Sequence, residues 1–266
     1  MQKKHLIYKT SLIEYQVWGN GENILLAFHG YGESAESFWI FEPFIAATHT
    51  LIAINLPFHG NTKWDVLTDF SPQELLFIIQ QINPATTRPF SIIGYSMGGR
   101  VALKMYELYP ALIKKMILVA PDGLHKNPWQ FLATQTSLGN RLFKLCMHYP
   151  QPMFLLMELS YKLGFFNKSV YSFVKFYLTE KDARLMLYDR WTCMREFYPS
   201  HSAIQSNIRK YNTNIHLIFG KYDKIILTKR GILFQQPVTE YVTITEIDAG
   251  HQLLKEKYAA QIAALI

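Results

Sequence analysis

The sequence predicts an α/β fold: a mostly parallel sheet flanked by helices, with a helical segment inserted before the penultimate strand. Three observations predict it. Short apolar runs recur along the 266 residues, as strands buried on both faces do. Amphipathic, helix-length stretches separate them. The alternation stops near Gly123 and resumes near Asn212, so one sheet is interrupted rather than two domains joined end to end.

The elements follow in order. "SLIEYQVWG" and "NILLAFHG" read as strands, the second apolar throughout. "AESFWIFEPFIAA" reads as a helix that Pro43 kinks or ends. "TLIAINLP" is a buried strand. "SPQELLFIIQQI" opens a helix with Ser71 as N-cap, Pro72 at the first position and Glu74 three residues after the cap. "PFSIIGYS" is a strand, and "GGRVALKMYELYP" puts Val101, Ala102, Met105 and Leu108 on one helical face before Pro110 stops it. "IKKMILVAP" is again a strand. After the interruption come the strand "NIHLIFG", a short helix "TKRGILFQQ", the strand "EYVTITEID" and a last helix within "LLKEKYAAQIAALI". The predicted core is residues 1–122 and 213–266, and the insertion is 123–212.

Composition bounds the function. Apolar residues make up 49% and charged residues 18%, enough to bury a core and unlike a disordered chain or a coiled coil. No apolar run reaches the roughly 18–20 residues of a membrane-spanning helix, and "MQKKHLIYKTSLIEY" lacks the apolar centre of a signal peptide. Two cysteines, Cys146 and Cys193, are too few for a disulfide framework. A reducing cytoplasm is therefore the expected location.

The net charge is +7, and residues 123–212 carry all of it, with 12 Lys/Arg against 5 Asp/Glu. The same segment holds 17 aromatics, among them those of the helix-like "GNRLFKLCMHY" and "TEKDARLMLYDRWTCMREF". Its aromatics and Met147, Met153, Met157, Met186 and Met194 suit an apolar pocket, or simply the packing of the insertion's own helices. The basic excess suits an anionic substrate, an acidic membrane surface or a solvated face. "FNKSVYSFVKFYLTEK" interleaves aromatics with lysines, but no nucleic-acid motif accompanies it. No His/Cys/Asp/Glu group has metal-ligand spacing, and "GYSMGG" lacks the lysine and spacing of a phosphate loop. Nothing in the sequence requires a cofactor.

Gly94-Tyr95-Ser96-Met97-Gly98 places a serine between glycines at a strand-to-helix junction. Such a turn leaves the hydroxyl exposed at the strand's C-terminal end, and it needs small neighbours so that strand and helix can approach. The first helical N–H, on Met97, then faces any negative charge forming beside Ser96. A serine hydroxyl needs an adjacent base, and the base needs an acid to hold its tautomer. His251, in "IDAGHQLL", follows the last strand, and Asp223, in "LIFGKYDKII", follows the penultimate one. Both loops lie on the sheet edge where Ser96 emerges.

These residues, in the order Ser–Asp–His, resemble the α/β-hydrolase superfamily over nearly the whole chain. "LLAFHGYGES" looks like that family's oxyanion loop, which implies the Tyr31 N–H as a second donor beside Met97. "AINLPFHGNT" resembles its Asp-x-Pro-Gly-x-Gly loop, with Asn55 in place of the usual Asp. "VAPDG" resembles the strand end before its helical lid. The resemblance implies an eight-stranded sheet, a lid at 123–212, and a serine enzyme acting on an ester or thioester of a small apolar acyl group through an acyl-enzyme. It leaves Asp122 as a rival acid, because some members carry the acid after the strand preceding the lid. His29 and His59 read as loop-shaping residues and Asp248 as a turn residue. Epoxide hydrolases and dehalogenases of this superfamily use an aspartate nucleophile, so Ser96 argues against both. C–C bond hydrolases, lyases and non-enzymatic small-molecule receptors of the same fold can keep the three residues.

Overall fold

The computed structural model describes residues 3–65, 69–125, 127–164 and 178–266. The strands are β1 (Lys3–Tyr8), β2 (Ser11–Trp18), β3 (Asn23–Phe28), β4 (His49–Ile54), β5 (Phe90–Tyr95), β6 (Ile113–Val119), β7 (Asn214–Gly220) and β8 (Val242–Ile247). They form one sheet in the order β1-β2-β4-β3-β5-β6-β7-β8. β2 runs antiparallel to β1 and β4, and β4 through β8 are all parallel. The apolar runs explain this layering. All of β5 and the C-terminal halves of β3, β4, β6 and β7 are buried, as strands covered on both faces must be. β1, at the edge, is largely exposed. Apolar only in its second half and paired through a tight hairpin, it carries no buried-strand pattern, and the sequence reading passes over it.

The helices that follow the strands are α1 (Glu42–Ile45), α2 (Pro72–Ile82) and α3 (Met97–Leu108). The helix expected after β3 is a 3₁₀ stretch, Ala35–Phe41, and Pro43 sits in the first turn of α1, where its missing N–H costs nothing. α2 begins as its sequence implies. Ser71 Oγ accepts the Glu74 N–H and the Glu74 carboxylate accepts the Ser71 N–H, each at 3.1 Å. α3 is buried along most of its length behind β5.

The chain divides into two compact units. The first comprises Met1–Asp65, Phe70–His125 and Glu196–Ile266, and the second Val66–Asp69 and Lys126–Arg195. Within the second lie α4 (Pro128–Gln135), α5 (Ser137–His148), α6 (Gln151–Lys162) and α7 (Lys181–Cys193), and no strand among its described residues. Its interior is partly polar. The buried Arg184 donates to the carbonyls of Met147, Leu178 and Thr179. Asn140 bonds Ala133 O and Thr192 Oγ1, and accepts from the Tyr188 hydroxyl. Residues 165–177, which hold most of "FNKSVYSFVKFYLTEK", are outside the described residues.

α8 (His201–Tyr211) falls inside the range read as the insertion but belongs to the first unit. It buries Ile204 and Ile208, and Asn207 donates to the Glu107 carbonyl at the end of α3. α9 (Thr228–Gln235) and α10 (Glu256–Ala263) complete the first unit.

Candidate active site

The C-terminal end of β5 determines the centre of the site. Ser96 adopts φ 48° and ψ −113°, a backbone conformation that costs a non-glycine residue of order 1–3 kcal/mol. Neighbours hold it there. Its N–H donates to Val119 O, and its carbonyl accepts from the N–H groups of Gly99 and Asp122. The close approach of α3 to the sheet explains the flanking glycines. A Cβ on Gly98 would stand 1.9 Å from the Phe28 carbonyl oxygen, and one on Gly94 would stand 2.6 Å from the Gly98 oxygen. Met97 is the first residue of α3, so its N–H belongs to the turn that has no intrahelical acceptor.

Two loops on the same sheet edge bring Asp223 and His251 to Ser96. His251 Nε2 is 3.1 Å from Ser96 Oγ, and Nδ1 is 2.7 Å from Asp223 Oδ2. The Asp223 side chain is fully buried, and its other oxygen accepts the N–H groups of Ile225 and Ile226 at 2.7 and 3.0 Å. Burial alone would push this carboxyl up. The hydrogen bonds from His251 and the two backbone N–H groups outweigh it and hold the group below the ordinary aspartate range. An ionised Asp223 accepts the proton on Nδ1, which leaves the Nε2 lone pair facing the serine hydroxyl.

A second carboxyl acts on His251 and is pushed the other way. Burial raises the Glu33 carboxyl, against the Ser37 hydrogen bond and the pull of His251. Its Oε2 is buried with no hydrogen-bond partner among the described residues. Asp223 is thus driven toward the charged form and Glu33 toward the neutral one, and such divergence separates the roles of neighbouring carboxyls. The Tyr95 hydroxyl donates to the His251 carbonyl at 3.1 Å and ties the histidine loop to the serine turn. Sequence reasoning found neither Glu33 nor Tyr95. Tyr95 fills an unspecified position of Gly-x-Ser-x-Gly, and its contact spans 156 residues.

The rival residues have other partners. Asp122 gives its N–H to Ser96 O, takes the Gly123 N–H on its carboxylate and lies 3.6 Å from Arg100. His29 is fully buried. Its Nε2 accepts the Leu56 N–H, so Nδ1 carries the proton that goes to Gly30 O. His59 donates to Pro57 O from Nδ1.

The loop carrying Tyr31 abuts Ser96. The Glu33 N–H closes a turn onto Gly30 O, with Gly32 at φ +76°, and a Cβ on Gly30 would lie 3.5 Å from Ser96 Cβ. Among the described residues no group of three His, Cys, Asp or Glu side chains is arranged to hold a metal ion.

A family model described as the alpha/beta hydrolase fold matches residues 23–144. Over 252 residues the chain is 23% identical to a monoacylglycerol lipase from Mus musculus, covering 88% of this chain and 71% of that protein. It is 27% identical over 113 residues to the dihydrolipoyllysine-residue acetyltransferase component of an acetoin cleaving system from Cupriavidus necator. That match covers 42% of this chain and spans only about a third, 30%, of the relative's length. Among solved structures, a thioesterase domain from the curacin biosynthetic pathway superposes with a TM-score of 0.64 at 17% identity. The superposition covers 100% of this chain and 98% of the other. With its mostly parallel eight-stranded sheet and the strand–serine–helix turn inside the matched region, the chain has the α/β-hydrolase fold.

Proposed function

We propose that the protein is a serine hydrolase that cleaves an ester or thioester of a small, largely apolar acyl group through an acyl-enzyme. The observation that carries this reading is His251, which bridges the buried Asp223 at 2.7 Å and Ser96 Oγ at 3.1 Å. In the reaction His251 Nε2 takes the Ser96 proton as Oγ attacks the substrate carbonyl. The N–H groups of Met97 and Tyr31 hold the oxyanion that forms. The imidazolium, steadied by Asp223, protonates the leaving alcohol or thiol. Water, deprotonated by the same nitrogen, then attacks the acyl-enzyme and regenerates Ser96. The relative named as a monoacylglycerol lipase supports ester chemistry, and the thioesterase fold neighbour supports the thioester option.

The test is labelling by a fluorophosphonate probe, together with a chain-length series of p-nitrophenyl esters. The probe is expected to modify Ser96 and to block turnover, with a maximum of kcat/KM at one acyl length. Ester turnover that survives Ser96→Ala would overturn the proposal.

A further inference from the structure

The second unit turns leucines outward. On α5 the residues Leu138, Leu142 and Leu145, followed by Tyr149 just beyond its end, are spaced four, three and four apart and share one face. Their exposures are 70%, 52%, 54% and 66%. The sequence pattern alone would bury this stripe. Instead α5 presents Asn140, Phe143 and Met147 inward. Asn140 bonds Tyr188 and Thr192 of α7, and the Phe143 ring packs 5.4 Å from that of Tyr188. α6 also exposes leucines, Leu155, Leu156 and Leu159, with Leu163 just beyond its end. Trp129 and Leu132, one turn apart on α4, are exposed as well. Isolated exposed leucines are ordinary, but stripes on successive helices are not.

Charge indicates what covers them. Beside the leucine stripe of α5 runs a second stripe, Arg141, Lys144 and His148, and the helix carries no acidic residue. Lys144 lies toward α7, its ammonium 5.9 Å from the Tyr188 ring. The one acid of α6, Glu158, is paired with Lys162 at 2.9 Å. A second copy of this chain fits poorly, because stacking two such faces brings cations together in a molecule of net charge +7. An apolar face with a basic flank is the arrangement of helices that lie in the plane of an anionic interface. No helix among the described residues is long and apolar enough to cross a membrane, so such contact would be peripheral.

We propose that the outward faces of α5 and α6 form a peripheral docking surface for an anionic lipid bilayer. The leucines enter the acyl boundary and Arg141 and Lys144 contact the headgroups. The experiment is flotation of the full chain with vesicles of phosphatidylcholine alone or mixed with phosphatidylglycerol. The wild type is expected to float with the mixed vesicles and to be released by salt. Leu138→Gln/Leu142→Gln/Leu145→Gln should reduce the floated fraction about tenfold or more, since three buried leucines would be lost from the contact. Arg141→Gln/Lys144→Gln should weaken binding to the mixed vesicles and flatten the salt dependence. Circular dichroism and thermal unfolding like those of the wild type show that both variants are folded, and neither readout depends on the hydrolase assignment. Flotation unaffected by the triple substitution, or a wild type that stays at the bottom of the gradient, overturns the proposal. So does a concentration-dependent dimer that the triple substitution abolishes while no vesicle binds.

Discussion

Asn55 donates its side-chain amide to the carboxylate of Glu14 and accepts the Ala35 N–H on its oxygen at 2.6 Å. The α/β-hydrolase pattern has an aspartate at this position, and the departure has a physical reason in Glu14. Burial would raise that carboxyl, but the backbone and side chain of Asn61, Lys3 and Asn55 hold it low. An aspartate here would turn a donor into a second carboxylate in a buried site. Asn55→Asp is expected to cost about 2 kcal/mol at neutral pH. In the variant the native dyad retains a proton that the unfolded chain loses, so the deficit grows as pH rises through the raised native value. Glu14→Gln in the same background should restore part of the loss. Urea unfolding at mildly acidic and mildly alkaline pH measures each term, and equal stability of Asn55→Asp and wild type at both would refute the argument.

Ser96 holds a strained backbone at the strand-to-helix turn. Ser96→Ala and Ser96→Gly are both expected to lose about 10⁴-fold or more in kcat and all fluorophosphonate labelling. They should differ in stability. Glycine relieves the positive φ and alanine does not, so Ser96→Gly should be more stable than Ser96→Ala by about 1 kcal/mol. Calorimetry compares them directly. A glycine variant no more stable than the alanine variant would mean that the turn is not strained.

Most of the sheet was legible in the sequence because parallel strands buried on both faces write continuous apolar runs. β5 is buried at every residue, and its run is unmistakable. β1 was not legible, because an exposed edge strand owes its place to pairing with β2 and not to burial. Ser96, Asp223 and His251 were legible as candidates because loops at strand ends have fixed addresses in an alternating fold. Glu33 and Tyr95 were not, since their neighbours are made by loop closure across the sheet edge. The exposed face of α5 was not legible either, because periodicity reports amphipathicity and not which face is wet.

The low value of Asp223 makes stability depend on pH. Its carboxyl lies below its ordinary range in the folded state because hydrogen bonds from His251, Ile226 and Ile225 exceed the cost of burial. The native chain therefore binds fewer protons than the unfolded one in that window. The contribution is complete above the ordinary aspartate pKa of about 3.9 and is lost as pH falls through the folded value. Asp223→Asn should flatten stability against pH on the acid side. It should also lower kcat by about 10⁴, since an amide presents the wrong partner to Nδ1. An unchanged acid slope in the variant would assign the proton uptake to other carboxyls.

Two glycines near Ser96 separate steric from conformational cost. Gly98 has an unexceptional φ, but a methyl there would stand 1.9 Å from Phe28 O and 2.9 Å from His29 O, both backbone atoms of β3 and the loop after it. Neither atom can give way unless α3 retreats from the sheet, and that retreat would move Met97 and Ser96 with it. Gly32 is the converse. It sits at φ +76° with nothing within 4 Å of an added methyl, so the only penalty is that of a left-handed alanine. Gly98→Ala is expected to cost about 3 kcal/mol or more and to cut fluorophosphonate labelling of any folded fraction. Gly32→Ala should cost about 1 kcal/mol. Its effect should fall on kcat more than on KM if the turn carries the Tyr31 N–H to the oxyanion. Thermal unfolding and steady-state kinetics of the two variants give the comparison. A Gly98→Ala protein as stable as Gly32→Ala would contradict the tight helix–sheet contact on which the serine turn rests.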